Sequence, residues 1–113
     1  MGATVLASPK SPLPALRIYA HCLPGRPGGV GLVALNTGSA PQTLGVGRRA
    51  TAWTMTGEPV DTRAITVNGR TPGLDAKGNL TGLAGARVAG SLRLPGQSIA
   101  FVAVPGAGNP ACR

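Results

Sequence analysis

The chain has 113 residues, enough for one domain, with 18 Gly, 11 Pro and only three aromatic residues, Tyr19, Trp53 and Phe101. Its 11 Lys and Arg against 3 Asp and Glu give a net charge of +8, a balance that attracts polyanions at long range. The longest stretches free of both Gly and Pro are residues 15–23, 48–56 and 60–68, all shorter than the roughly 11–12 residues of a mean helix. Since an interior Gly or Pro costs a helix about 1 or 3 kcal/mol, much helix is excluded and an all-β chain fits this punctuation far better. Leu, Ile, Val and Phe number 25 of 113 residues, just above the level of about 20% where disorder becomes the default. They fall in short alternating blocks between turn residues, which argues for strands.

In chain order, 3–8 is a short apolar strand candidate, and the prolines of 9–14 break it into an extended connector. Ala15 to Cys22 is the clearest strand: Leu16, Ile18, Ala20 and Cys22 fall on one face, and Arg17, Tyr19 and His21 on the other. Leu23 to Gly29 reads as a mobile loop. Val30 to Asn36 is apolar on both faces, as a strand covered twice would be. Asn36 to Ser39 is a turn, and Gln42 to Gly47 a weaker strand. Arg48-Arg49 then leads into a strand at Ala50 to Thr56.

Gly57-Glu58-Pro59 turns the chain. A strand at Ala64 to Val67 enters Asn68-Gly69, the strongest short hairpin signal present, with Thr71 to Leu74 as the candidate return arm. Residues 75–86 are Gly-rich and ambiguous, Val88 to Leu94 is partly extended, and Gln97 to Val104 is the last strand. Residues 105–113 form a tail that needs Cys112 to hold it down. The expectation is an all-β, antiparallel β-sandwich of about seven or eight short strands.

Cys22 and Cys112 are the only cysteines. In a small all-β chain they favour an oxidising compartment and a mutual disulfide, the alternative being two free buried thiols. Two thiols and the single His21 cannot close a zinc site, so no metal is expected, and no cofactor motif is present. The basic residues are dispersed except for Arg48-Arg49, and no basic run interleaves with aromatics, so no nucleic-acid partner is expected. No run approaches the roughly 20 apolar residues of a membrane span. The N-terminus lacks the pattern of an export signal, which predicts a fragment of a longer, exported protein, extracellular or periplasmic.

Three stretches resemble the C-terminal region of glycoside hydrolase family 79, the heparanase-like endo-β-glucuronidases. The first is Leu16-Arg17-Ile18-Tyr19-Ala20-His21-Cys22, of the form Leu-Arg-(Val/Ile)-Tyr-x-His-Cys. The second is Leu32 to Asn36 followed by Val67-Asn68-Gly69. The third is Leu94-Pro95 to Val104 with the terminal Ala111-Cys112. Residues 1–8 also resemble the segment leaving that family's catalytic barrel.

The resemblance implies a (β/α)₈ barrel carrying two catalytic glutamates, absent from this sequence, with a β-sandwich packed beside it. Residues 1–14 would then be a strand and connector leaving the barrel, and 15–113 the sandwich. It also implies an N-terminal segment of the parent that joins the sandwich and is missing here.

No catalytic residue is expected within the chain itself. Retaining glycosidases need two carboxyl groups about 5–5.5 Å apart. Glu58 and Asp61 are the only acids close in sequence, sit at a turn, and match neither family glutamate; Asp75 is the third acid. His21 on its strand is expected to be structural, and Trp53 a core or interface residue before a sugar-stacking one. Asn79-Leu80-Thr81 is a glycosylation sequon, without meaning in a bacterial source.

The sequence thus predicts a non-catalytic sandwich whose partner is the barrel of the same parent. Arg48 and Arg49 are candidates for steering an anionic polysaccharide toward it. A freestanding secreted carbohydrate-binding or adhesion module is the alternative, and a nucleic-acid-binding domain, on charge alone, is the third reading.

Overall fold

The computed structural model describes residues 2–8, 11, 13–57 and 63–113. Among them are nine strands: β1 (Val5–Leu6), β2 (Leu16–Cys22), β3 (Val30–Asn36), β4 (Gln42–Gly57), β5 (Ile65–Val67), β6 (Gly73–Leu74), β7 (Leu80–Thr81), β8 (Ala86–Leu94) and β9 (Ser98–Val104). A single 3-10 turn, Pro110–Cys112, follows. Every pairing is antiparallel. The main sheet runs β1-β2-β3-β9-β4-β5 with β8 on β4, and β6-β7 is a separate hairpin. The all-β sandwich expected from the alternating blocks is what forms.

Its two layers come from one strand. β4 spans 16 residues, where the sequence suggests two strands separated by Arg48-Arg49. Its last half pairs with β9 inside the main sheet, through Thr51↔Ala103 to Met55↔Ile99. Its first half pairs only with β8, and the register shifts between Gly45 and Arg49. Gly47 (φ 72°) and Gly90 (φ 92°) flank that bulge in a left-handed conformation that a side chain would oppose. The bend folds the β4–β8 ribbon over the inward face of β2, β3 and β9.

Leu44, Val88 and Leu94 from the ribbon meet Leu16, Ala34, Ala100, Val102 and Val104 there. The core is made of small residues: Ala34, Ala52 and Ala100 are each 0% exposed, and no aromatic is fully buried. Alanines let the layers approach closely, so packing rather than side-chain bulk excludes water.

One buried polar residue ties the layers. Asn36 is 1% exposed, and its Nδ2 donates to the carbonyls of Ala40 and Pro95 at 3.0 Å, and of Leu94 at 3.3 Å. Its Oδ1 accepts from Gly38 N at 3.2 Å. Ser98 Oγ donates to Pro95 O at 2.7 Å, closing the same corner. Among the described residues no buried side-chain polar atom lacks a partner.

Two local expectations need correction. Asn68 (φ 50°) and Gly69 (φ 78°) do form the two-residue turn with left-handed backbone at both positions. Its return arm, however, is a single bridge, Val67↔Arg70, and Gly73–Leu74 pairs instead with Leu80–Thr81. Pro72 has no N–H to donate, which ends the ladder early. The loop at Leu23–Gly29, read as mobile, is held at several points. Leu23 N donates to Gly29 O, Gly28 N to Cys112 O, and Asn109 N to Gly28 O, at 2.8–3.0 Å.

The tail is thus anchored twice, by that loop and by a disulfide. Cys22 and Cys112 are bonded across a separation of 90 residues, with Cα atoms 5.3 Å apart. Asn109 Oδ1 caps the terminal 3-10 turn through Ala111 N at 2.9 Å. No helix among the described residues is long and apolar enough to cross a membrane.

Candidate functional site

Among the described residues, those weighed for chemistry do not converge. Glu58 and Asp61 lie outside the described residues. Asp75, the one described acidic side chain, organises the β6–β7 turn. Its Oδ1 accepts from Lys77 N and Asn79 N, both at 2.9 Å, and its Oδ2 accepts from Asn79 Nδ2 at 3.3 Å. These bonds, the Asn79 backbone N–H foremost, hold its carboxyl below the ordinary 3.8. A depressed value on an exposed turn suits a structural cap and not a proton donor.

His21 Nδ1 lies 2.9 Å from Gly2 O; a carbonyl only accepts, so that nitrogen carries the proton and fastens the N-terminal segment to β2. Among the described residues no three His, Cys, Asp or Glu side chains gather as metal ligands.

Arg48 and Arg49 both sit in the β4 bulge and are exposed. Arg48 Nη1 donates to Gly106 O at 3.1 Å. Arg49 instead shares a groove of about 540 Å³ with Arg87 and Pro105. The register explains the pair: Arg49 opposes Ala89 and Thr51 opposes Arg87, so the two arginines are diagonal neighbours on one face.

The outward face of the main sheet carries the chemistry that does converge. Cross-strand register stacks its side chains in rows. One row is Tyr19↔Val33↔Phe101↔Trp53, which brings all three aromatic residues of the chain into line. The next is Arg17↔Leu35↔Ile99↔Met55↔Val67, and Val67 bridges Arg70. The third is His21↔Gly31↔Ala103↔Thr51↔Arg87. With strands about 4.8 Å apart, the aromatic row spans roughly 14 Å.

The face is not sealed. Tyr19 is 46% exposed, Phe101 38% and Ile99 37%, while Val33, Leu35, Trp53 and Met55 are half-buried. A cleft of about 330 Å³ opens at one end between Leu35, Met55, Ile65 and Ile99. Trp53 is fixed in place, since its Nε1 donates to Leu83 O at 2.8 Å.

Asn68 fixes the strand beneath Trp53. β8 stops pairing with β4 at Ala52, and β5 begins only at Met55. In the gap, Asn68 Oδ1 accepts from Thr54 N at 2.9 Å, and its Nδ2 donates to Ala52 O and Ala84 O at 3.0 Å. Its backbone N donates to Thr54 O at 2.8 Å. One side chain thus replaces a missing piece of strand. The sequence marks Asn68 only as a turn former, because nothing local says which strand edge its amide reaches.

Scanned as a sequence, the chain matches no protein-family model and no curated protein. Among solved structures it resembles part of a GH30 endoxylanase from Clostridium papyrosolvens C71, at 19% identity and a TM-score of 0.52. The likeness covers 88% of this chain and 22% of that one, so the chain spans about a fifth of the enzyme's length. At that identity what is shared is the fold.

Proposed function

We propose that the chain is the non-catalytic β-sandwich domain of a glycoside hydrolase, packing against and supporting a catalytic barrel that lies elsewhere in a longer polypeptide. The observation that carries this reading is the outward sheet face. It gathers every aromatic of the chain in one row, with Tyr19 and Phe101 open to solvent. Exposed apolar area of this kind marks an interaction surface. The GH30 endoxylanase supports the reading, because there the same fold accounts for 22% of a much longer chain. The Leu16–Cys22 motif and the paired cysteines favour the finer assignment, a family 79 enzyme of the β-glucuronidase type exported to an oxidising compartment.

The experiment is to express the whole reading frame that contains these residues, beside the 113-residue chain alone. The long protein is expected to cleave an aryl β-glucuronide through two glutamates of its barrel, and the short one to cleave nothing. Hydrolysis by the short chain would overturn the reading. Cleavage of xylan but not of the glucuronide by the long protein would replace family 79 with a GH30-like assignment. Absence of a barrel from the reading frame would favour a freestanding secreted module.

Arg48 and Arg49 remain proposed as steering residues for an anionic polysaccharide. Arg49 is the better placed of the two, since Arg87 lies beside it and Arg48 is tied to Gly106. Neutralising Arg48 and Arg49 in the long protein should flatten the salt dependence of its encounter with an anionic polymer. An unchanged salt slope would remove them from this role.

A further inference from the structure

We infer that the outward face of the main sheet is a docking surface for a protein patch with an apolar centre and an acidic border. On the reading proposed above, this patch belongs to the remainder of the same polypeptide. The inference rests on how charge is distributed across the rows. The Leu35–Ile99–Met55–Val67 row has Arg17 at one end and Arg70 at the other. The row on the far side of the aromatics ends in Arg87. The aromatic row lies between them, with Tyr19 and Phe101 substantially open to solvent. An apolar centre ringed by charge is the layout of a protein interface, where the centre is dehydrated and the rim stays solvated.

Among the described residues the rim is of one sign. Arg17, Arg70 and Arg87 are all exposed, and Asp75, the one acidic side chain among the described residues, is committed to its own turn. This rim selects the occupant. A second copy of the chain would set arginine against arginine across the interface, and like charges at close quarters oppose association. A neutral polysaccharide gives the arginines no counter-charge. An anionic one satisfies the arginines but leaves Leu35, Ile99 and Met55 facing hydroxyl groups that need hydrogen-bond partners. A protein surface with carboxylates around an apolar patch answers both demands.

The test uses the long polypeptide, with hydroxyl-radical footprinting of Tyr19 and Phe101 by mass spectrometry. Three forms are compared: wild type, the reversal R17E/R70E/R87E, and the conservative R17K/R70K/R87K. Both aromatics should label at least about fivefold more slowly in the wild type than in the reversal, with the Lys form close to wild type. An intact Cys22–Cys112 bond and unchanged hydrogen-exchange protection of the β3 and β9 amides confirm that the sandwich is folded in all three.

Labelling of Tyr19 and Phe101 at the rate of open aromatics in a wild-type protein that does contain a barrel overturns this inference and leaves the proposed function standing. Protection that survives charge reversal overturns the acidic border. Protection that appears only on adding polysaccharide, or only at concentrations where the protein dimerises, assigns the face to sugar or to a second copy and overturns it too. A reading frame without a barrel removes the proposed function and the occupant together.

Discussion

On the inward side of the β3–β9 pair, Ala34 stands opposite Ala100, and both are 0% exposed. One residue along, Val33 stands opposite Phe101 on the outward side, and Phe101 is 38% exposed. At this point the two strands bury alanine and expose phenylalanine. A small domain that had to stabilise itself alone would normally spend its aromatics on its own core, because each buries about 150–250 Å². Here the core is closed by alanine, valine and leucine under a folded-over ribbon, and the aromatics stand on the other face of the sheet. The inward face is closed by the ribbon, whereas among the described residues the outward face is covered only in part, at Trp53 and Val67.

Substitutions that distinguish the two faces should differ sharply in cost, measured by urea unfolding of the 113-residue chain. The largest effect is expected at the covalent tie between the β2 end and the tail. Replacing Cys22 and Cys112 together by Ser should lower stability by roughly 4.5 kcal/mol on the chain-entropy account of a loop of about 90 residues. A midpoint unchanged by the double replacement would show that the backbone bonds from Gly28 hold the tail unaided.

Next comes the inward face: Leu94→Ala, at a side chain 0% exposed, should cost about 3 kcal/mol through lost burial and the cavity left behind. Asn36→Ala should cost about 2 kcal/mol, because the carbonyls of Ala40 and Pro95 lose their donor at the joint between the layers.

The outward face should respond the other way. Tyr19→Ser, on a side chain 46% exposed, should shift the isolated chain by no more than about 0.5 kcal/mol. The same substitution should destabilise the long polypeptide by a clearly larger amount, since there the ring is covered. Equal small effects in both would erase the distinction between the faces.

The two-residue period of β2 and the double apolar faces of β3 and β9 were enough to read the sandwich, because side-chain alternation is a local property of strands. The disulfide was legible for a similar reason, as two cysteines in an all-β chain leave few partners. The continuity of β4 was not, since Gly45, Gly47 and the Arg48-Arg49 pair look like a boundary. Only the pairing with β8 shows that they make a bulge within one strand.

The candidate site was legible in part. Trp53 reads from the sequence as a core or interface residue, but its alignment with Tyr19 and Phe101 depends on register across four strands far apart in sequence. The basic border was hidden for the same reason. Arg17, Arg70 and Arg87 are scattered along the chain and meet only at the margins of one sheet face.

The smallest effect concerns the hairpin that stands outside both faces. The carboxyl of Asp75 is depressed in the folded state, so its contribution is present above the ordinary 3.8 and is lost as pH falls from there through its folded value. The protection of the Lys77 and Asn79 amides against hydrogen exchange, relative to an unstructured chain at the same pH, should fall over that acid range, while protection in β3 and β9 should hold steady. A turn whose protection ignores acidification would show that the backbone alone shapes it.

Photo-cross-linking from position 19 tests the account most directly. With p-benzoylphenylalanine in place of Tyr19 in the long polypeptide, the predicted product is an intramolecular cross-link into the region outside residues 1–113, at an apolar residue flanked by Asp or Glu. A probe that reacts only with solvent, only within these 113 residues, or with a second copy of the chain would contradict the claim that this face is built for the rest of its own polypeptide.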